Sequence, residues 1–365
     1  MKTGKVVSIL TAGILLVALL AGCGGGATTP TPTTSSASPT PSPTPSATEM
    51  QVAAVLYGVA NEGTWEPAAY NAILDAQKKL NFKLNLSENT STQDAEKIIR
   101  DWASRGVTAI WAHSSIYNEA LIKVAGQFPN VYFIAEGGYA EDSPADPKPE
   151  AGPEKFPANV VMLGDTPGEG NFLAGYVAAL ASTKGAVGVL QPFESTGLNY
   201  YTNTFVQGAK LAKPDIKVQV VMVGDYVAPA ETRTAIQSLA QQGFDMIFTQ
   251  MDDNSSILEC KAQGILCIPM YMDKHDLDPE TVLTSVVFNW FVPLYDALAA
   301  VKDNTFATYR ETNFFRPLSV KDNGLYLGQW GTKATDEIKN AAEDVKAKII
   351  SGEIKVLADY EKKTY

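Results

Sequence analysis

From Gln51 onward, short apolar runs alternate with amphipathic stretches; the alternation halts once and then starts again. QVAAVLYG from Gln51, LNFKLNLSE, VTAIWA from Val107 and NVYFIAE from Asn130 read as strands. Glu66 to Leu80, Thr92 to Ser104 and Tyr117 to Gly126, lying between them, carry helical spacing. Nearly continuous apolar strands separated by helices predict a parallel sheet covered on both faces. Tyr139 to Pro157, YAEDSPADPKPEAGPEKFP, is polar and proline-rich and reads as a surface excursion.

The pattern resumes with the strand NVVMLGD from Asn159. Helices are expected at Gly168 to Ser182, Leu198 to Lys210, Ala230 to Gln242 and Ser255 to Ala262. GAVGVLQ, KVQVVMVG, FDMIFTQ, ILCIPM and VLTSVVF supply strands, the last over 282–288. A helix from Trp290 to Ala300, weak strands near Asn313 to Pro317 and Gly324 to Gly328, and a helix from Thr335 to Ile350 complete the reading. Two α/β halves of this kind predict two doubly wound parallel-sheet lobes around a cleft. Ligands of such sheets sit at the carboxyl ends of the strands, so the strand-end loops hold the candidates.

Those loops are rich in aromatic and polar residues. YGVANEGTW from Tyr57 offers Asn61 and Trp65, WAHSS offers His113, and EGGY offers Tyr139. In the second half QPFESTG offers Phe193, QMDDNS offers Asp252, YMDKHD offers Asp273, and VVFNWF offers Asn289 and Trp290. Flat rings with a few fixed hydrogen-bonding groups suit a small, flat, polar molecule. Each residue has a plainer alternative. Trp65 and Trp290 could dock helices, His113 could be a satisfied structural histidine, and Asp252 could cap a helix N-terminus.

The net charge of −11 and the lack of any basic run argue against a nucleic-acid partner. Beyond Cys23, the two cysteines Cys260 and Cys267 cannot make a disulfide scaffold; two buried thiols is the reading preferred to a mutual bridge. The two histidines are far apart and no metal-ligand spacing is present. No GxSxG elbow and no glycine fingerprint after the first strand are found, so neither catalysis nor a cofactor is expected.

The N-terminal region carries its own signal. Lys2 and Lys5 precede an apolar run from Val6 to Ala21, shorter than the roughly 20 residues of a membrane-spanning helix. Leu20-Ala21-Gly22-Cys23 resembles a bacterial lipobox, in which the chain is cut before the cysteine and the sulfur is lipidated. Residues 1–22 are thus expected to be a leader, and 23–48, rich in Thr, Ser and Pro, an extended tether. The body, from about 49 to 365, is large for a single core and suits two domains.

GEGNFLAGYVAAL at 168–180, TFVQGAKLAKPDIKVQVVMVGDYVAPAE and AIQSLAQQGFDMIFTQMDDNS resemble the basic membrane protein family of bacterial ABC-transporter solute-binding lipoproteins, which includes purine nucleoside receptors. DAEKIIRDWASRGVTAIW supports the match, which covers about 50–350. The resemblance implies a type I periplasmic-binding-protein fold with three crossings between lobes, placing 50–164 plus 289–313 in one lobe and 168–285 plus 318–365 in the other. It implies a monomeric, extracytoplasmic receptor for a purine, lipid-anchored to the membrane through Cys23 and partnered by an ABC permease. Where nucleoside-binding members carry an aspartate-rich loop, this chain reads ANEGTWEPAAYN. That is similar to a Gly-Trp subgroup for which free bases such as adenine are the implied ligands, with Trp65 in the stacking place. A purine nucleoside receptor, a sensory or sugar-binding lipoprotein and an exported hydrolase are the competing readings.

Overall fold

The computed structural model describes residues 49–137, 154 and 156–365. Two six-stranded sheets organise the chain. The first contains β1 (Gln51–Val55), β2 (Lys83–Ser87), β3 (Ala109–Ala112), β4 (Tyr132–Gly137), β5 (Val160–Gly164) and β11 (Phe315–Pro317), in the order β11-β5-β4-β3-β1-β2. Every neighbouring pair is parallel, with Val52 opposite both Leu84 and Ala109. The second contains β6 (Ala186–Gln191), β7 (Lys217–Met222), β8 (Met246–Thr249), β9 (Leu266–Tyr271), β10 (Val286–Phe288) and β12 (Leu325–Leu327), in the order β12-β10-β9-β8-β6-β7. Here only β12 runs antiparallel, against β10.

Both sheets begin in the middle and wind outward in two directions. In the first, the chain leaves β1 for β2 on one side and returns to β3 on the other; β6, β7 and β8 repeat the arrangement. The carboxyl ends of β1 and β3, and of β6 and β8, are therefore the switch points where doubly wound sheets open a crevice. The fully apolar faces of β3 and β5 are buried on both sides, as a helix-covered sheet requires.

Helices α1 (Trp65–Leu80), α2 (Thr92–Ser104) and α3 (Asn118–Ala125) follow the early strands. Ser91 caps α2 by accepting from the Asp94 amide, and Asn81 closes α1 in the left-handed region. The second sheet is covered by α4 (Gly168–Ala181), α5 (Thr196–Ala212), α6 (Pro229–Gln241) and α7 (Ser255–Gln263), with α10 (Asp336–Ser351) packed on α4. α4 is apolar nearly all round because it lies between the sheet and α5. At Gly175 the two helices approach so closely that a Cβ would stand 1.8 Å from the Phe205 carbonyl oxygen.

The chain passes from sheet to sheet after β5, after β10 and after β11. α8 (Phe291–Lys302) thereby returns to pack against α1 and β5. These segments are tied to one another: the Leu318 amide donates to Gly164 at 3.1 Å and the Asn289 amide to Gly324 at 2.9 Å.

Two local features differ from the sequence reading. Residues 306–313 form a helix, α9 (Phe306–Asn313), where no periodicity pointed to one. It is held from outside itself: Phe306 packs on Tyr132 at 4.5 Å, and Arg310 donates to the Val160 carbonyl at 2.8 Å. Of the run 282–288 only Val286–Phe288 is a strand, Val282 making an isolated bridge to Cys267. The excursion at 139–157 lies almost wholly outside the described residues. Cys260 and Cys267 are both buried free thiols.

Candidate functional site

The loop after β1 delivers Trp65 at the first turn of α1. Thr64 does not cap that helix with its own side chain. The cap comes from the other lobe: Oδ1 of Asp252, in the loop after β8, accepts from the Thr64 amide at 2.6 Å, the Thr64 hydroxyl at 2.5 Å and the Trp65 amide at 2.7 Å. A carboxylate at a helix N-terminus answers both the free amides and the positive end of the helix dipole. Gly63, at φ +74°, makes the approach possible, since a Cβ there would stand 2.8 Å from Asp252 Oδ2. The plainer reading of Asp252 as a cap therefore describes its main contacts, although the helix is α1 rather than the adjacent α7.

Trp65 lies in a ring cluster drawn from both lobes. Its indole stacks on His113 at 4.6 Å and 21°. Tyr271, Phe288 and Trp290 meet it edge-on at 5.4, 6.2 and 5.8 Å. His113 comes from the end of β3, Tyr271 from the end of β9 and Phe288 from the end of β10. Tyr271 within the cluster, at φ +77°, and Ser114 next to His113, at φ +132°, have strained backbones. Such conformations persist where the surroundings hold them and concentrate at binding sites.

Behind Trp65 lies a set of buried titratable groups. His113 Nδ1 pairs with Glu136 Oε1, and both residues are buried. Burial pushes the Glu136 carboxyl well above the ordinary range and holds His113 below the usual imidazole value, so both favour their uncharged forms. Burial also raises Glu66, whose Oε1 accepts from the Gly58 amide at 2.8 Å. Tyr201 donates to Asp165 at 2.6 Å on the crossing between the lobes.

The remaining sequence candidates fall in different places. Trp290 is fully buried, and its Nε1 has no hydrogen-bond partner. Asn289 donates to the Asn323 carbonyl at 3.0 Å, and Asp273 accepts from His275 and Gln329 amides at 3.1 and 2.9 Å. Their side chains thus serve loop and crossing geometry. Phe193 stands on the rim, 40% exposed and edge-on to Tyr226 at 5.1 Å. Asn61 is exposed in the Trp65 loop. Tyr139 and Cys23 lie outside the described residues. Sequence reasoning passed over Tyr271, Phe288 and Glu136 as site residues. Their place at strand ends was the available signal, but they read as core.

Among the described residues no group of His, Cys, Asp and Glu could hold a metal, and no helix is long and apolar enough to cross a membrane.

Residues 50–359 match the family described as ABC transporter substrate-binding protein PnrA-like, or Bmp. The chain belongs to this family. A purine-binding protein of Brucella abortus (strain 2308) is 28% identical over 273 residues, covering 75% of this chain and 71% of the relative. Basic membrane protein A2 of Borrelia garinii subsp. bavariensis is 24% identical, covering 86% and 90%. Among solved structures, an ABC transporter solute-binding protein from Conexibacter woesei superposes with a TM-score of 0.71 at 19% identity, covering 86% of this chain and all of that one. The two-lobed arrangement is the type I periplasmic-binding-protein fold. As a Bmp family member the protein is an extracytoplasmic, non-catalytic solute-binding receptor working with a membrane permease.

Proposed function

We propose that this receptor takes a purine base, adenine among the candidates, in the cleft between its lobes, with Trp65 as the stacking surface. The observation that carries the reading is the Trp65 cluster, which joins an indole at the switch point of one sheet to rings from the ends of β9 and β10 in the other. A flat heterocycle entering there gains ring contacts on closure of the lobes, and Trp290 Nε1 is an unspent donor for a ring nitrogen. The purine-binding relative from Brucella supports the same class of ligand. Phe193 and Asn61 lie on loops from which they reach a ligand at the rim. A lipid on Cys23 keeps the receptor beside its permease, where the tether raises its local concentration.

The test is calorimetric titration of protein stripped of co-purified solute against adenine, hypoxanthine, guanine, adenosine, guanosine and ribose. One-to-one binding of a free base, with nucleosides weaker, is the expected outcome. Nucleosides binding better would move the protein to nucleoside reception. Silence from every purine would remove the purine reading while leaving the receptor fold intact.

A further inference from the structure

After α10 the chain continues without helix or strand from Ile354 to Tyr365 and is bound along α5. Asn199, Asn203 and Gln207, four residues apart and so on one face of α5, hold its backbone with their side-chain amides. Asn199 donates to the Tyr360 carbonyl at 3.4 Å, and Asn203 to the Asp359 and Glu361 carbonyls at 2.8 and 2.9 Å. Gln207 donates to the Leu357 carbonyl at 2.9 Å and accepts from the Leu357 amide at 3.0 Å. Lys362 pairs with Glu194, the neighbour of Phe193. The segment is thus strapped to the helix, and it lays the Tyr360 ring on Tyr200 at 5.0 Å and 23°.

Tyr200 is buried, and its hydroxyl reaches the crossing between the lobes. Pro167 gives α4 no side-chain cap; the Tyr200 oxygen accepts from the Gly168 amide at 3.1 Å instead. A Cβ on Gly168 would stand 2.2 Å from that oxygen, so the contact requires glycine there. The next residue, Tyr201, holds the other end of the same crossing through Asp165 at 2.6 Å. We infer that Tyr360 is a positioning residue for lobe movement: by covering Tyr200 it fixes the hydroxyl that caps α4, and with it the crossing about which the lobes open. With that face uncovered, the Tyr200 ring gains room to turn away, and the buried Gly168 amide loses its acceptor. The crossing then becomes softer, and open forms become less costly. The inference does not depend on which solute the receptor takes.

The experiment compares ligand-free wild type, Tyr360→Ala and Tyr360→Phe by amide hydrogen exchange and by X-ray scattering, with thermal melting as the control for folding. In Tyr360→Ala the amides of residues 165–171 should exchange about threefold to tenfold faster than in wild type, the worth of one aromatic pair. Its radius of gyration should exceed that of wild type. Tyr360→Phe keeps the ring and should match wild type in both measurements. Faster exchange confined to residues 354–365 would make the segment a mere surface covering and overturn the inference. So would a softened crossing at an unchanged radius, or equal effects of the two substitutions. If Tyr360→Ala does not melt cooperatively, Tyr360→Leu, which keeps apolar volume without the ring, replaces it, with the same outcomes deciding.

Discussion

Trp65 and Glu136 are the residues whose chemistry can be tested one at a time. Base-on-indole stacking contributes about 1–3 kcal/mol, so Trp65→Ala should weaken base binding by about tenfold to a hundredfold in calorimetry, and Trp65→Phe by much less. Equal losses in the two variants would remove the stacking role. Glu136 is raised by burial, so the native state holds its proton across a window where the unfolded chain has released it. Its contribution to stability is therefore complete at low pH and declines as pH climbs above the ordinary carboxylate range. Lowered His113 acts oppositely, favouring folding as pH rises toward the usual imidazole value. Glu136→Gln removes the first dependence alone. The melting temperature of the variant relative to wild type should therefore rise with pH from about 4.5 upward; a falling difference would mean that His113 and Glu136 form a charged pair.

At the level of elements, packing decides what pattern only proposes. α4 and α5 touch at Gly175, where an added methyl meets the Phe205 carbonyl at 1.8 Å. Gly175→Ala should destabilise the protein by about 1–3 kcal/mol, seen as a lower urea midpoint, since overpacking of a tight contact forces the helices apart. An unchanged midpoint would show that the crossing can open at no cost. The strands and helices with strong periodicity were legible: α2 has the expected bounds of Thr92–Ser104. α9 was not, because FATYRETN carries little amphipathic order and is held by Tyr132 and by the carbonyls that Arg310 bonds. β10 is shorter than its apolar run because only Val286–Phe288 pairs with β12, and of these only Val286 and Val287 also pair with β9.

For the molecule as a whole, the contact of Asp252 with the start of α1 joins the two lobes. It closes the cleft with groups the protein already owns, and ligand contacts then add to a closed state that is already favoured. Asp252→Ala should shift the ligand-free receptor toward open forms, read as a larger radius of gyration in X-ray scattering. A radius equal to that of wild type would show that other contacts carry the closure.

Periodicity, glycine and proline placement, and the acidic, cysteine-poor composition determined the α/β class, the two similar halves and the loops where a ligand must be sought, because those features act within a few residues of one another. The family likeness came from the same stretches. The partners of the strand-end side chains did not, since they depend on groups far apart in the chain. Asp252 reads as a residue for its own neighbouring helix, yet it caps one that starts 187 residues earlier, at Trp65. Asp273 and Asn289 look like ligand contacts in the sequence and are spent on backbone amides and a carbonyl. Hydrogen-bond satisfaction is a property of the closed, packed molecule, and so it was the tertiary structure that decided which polar groups remain for a ligand.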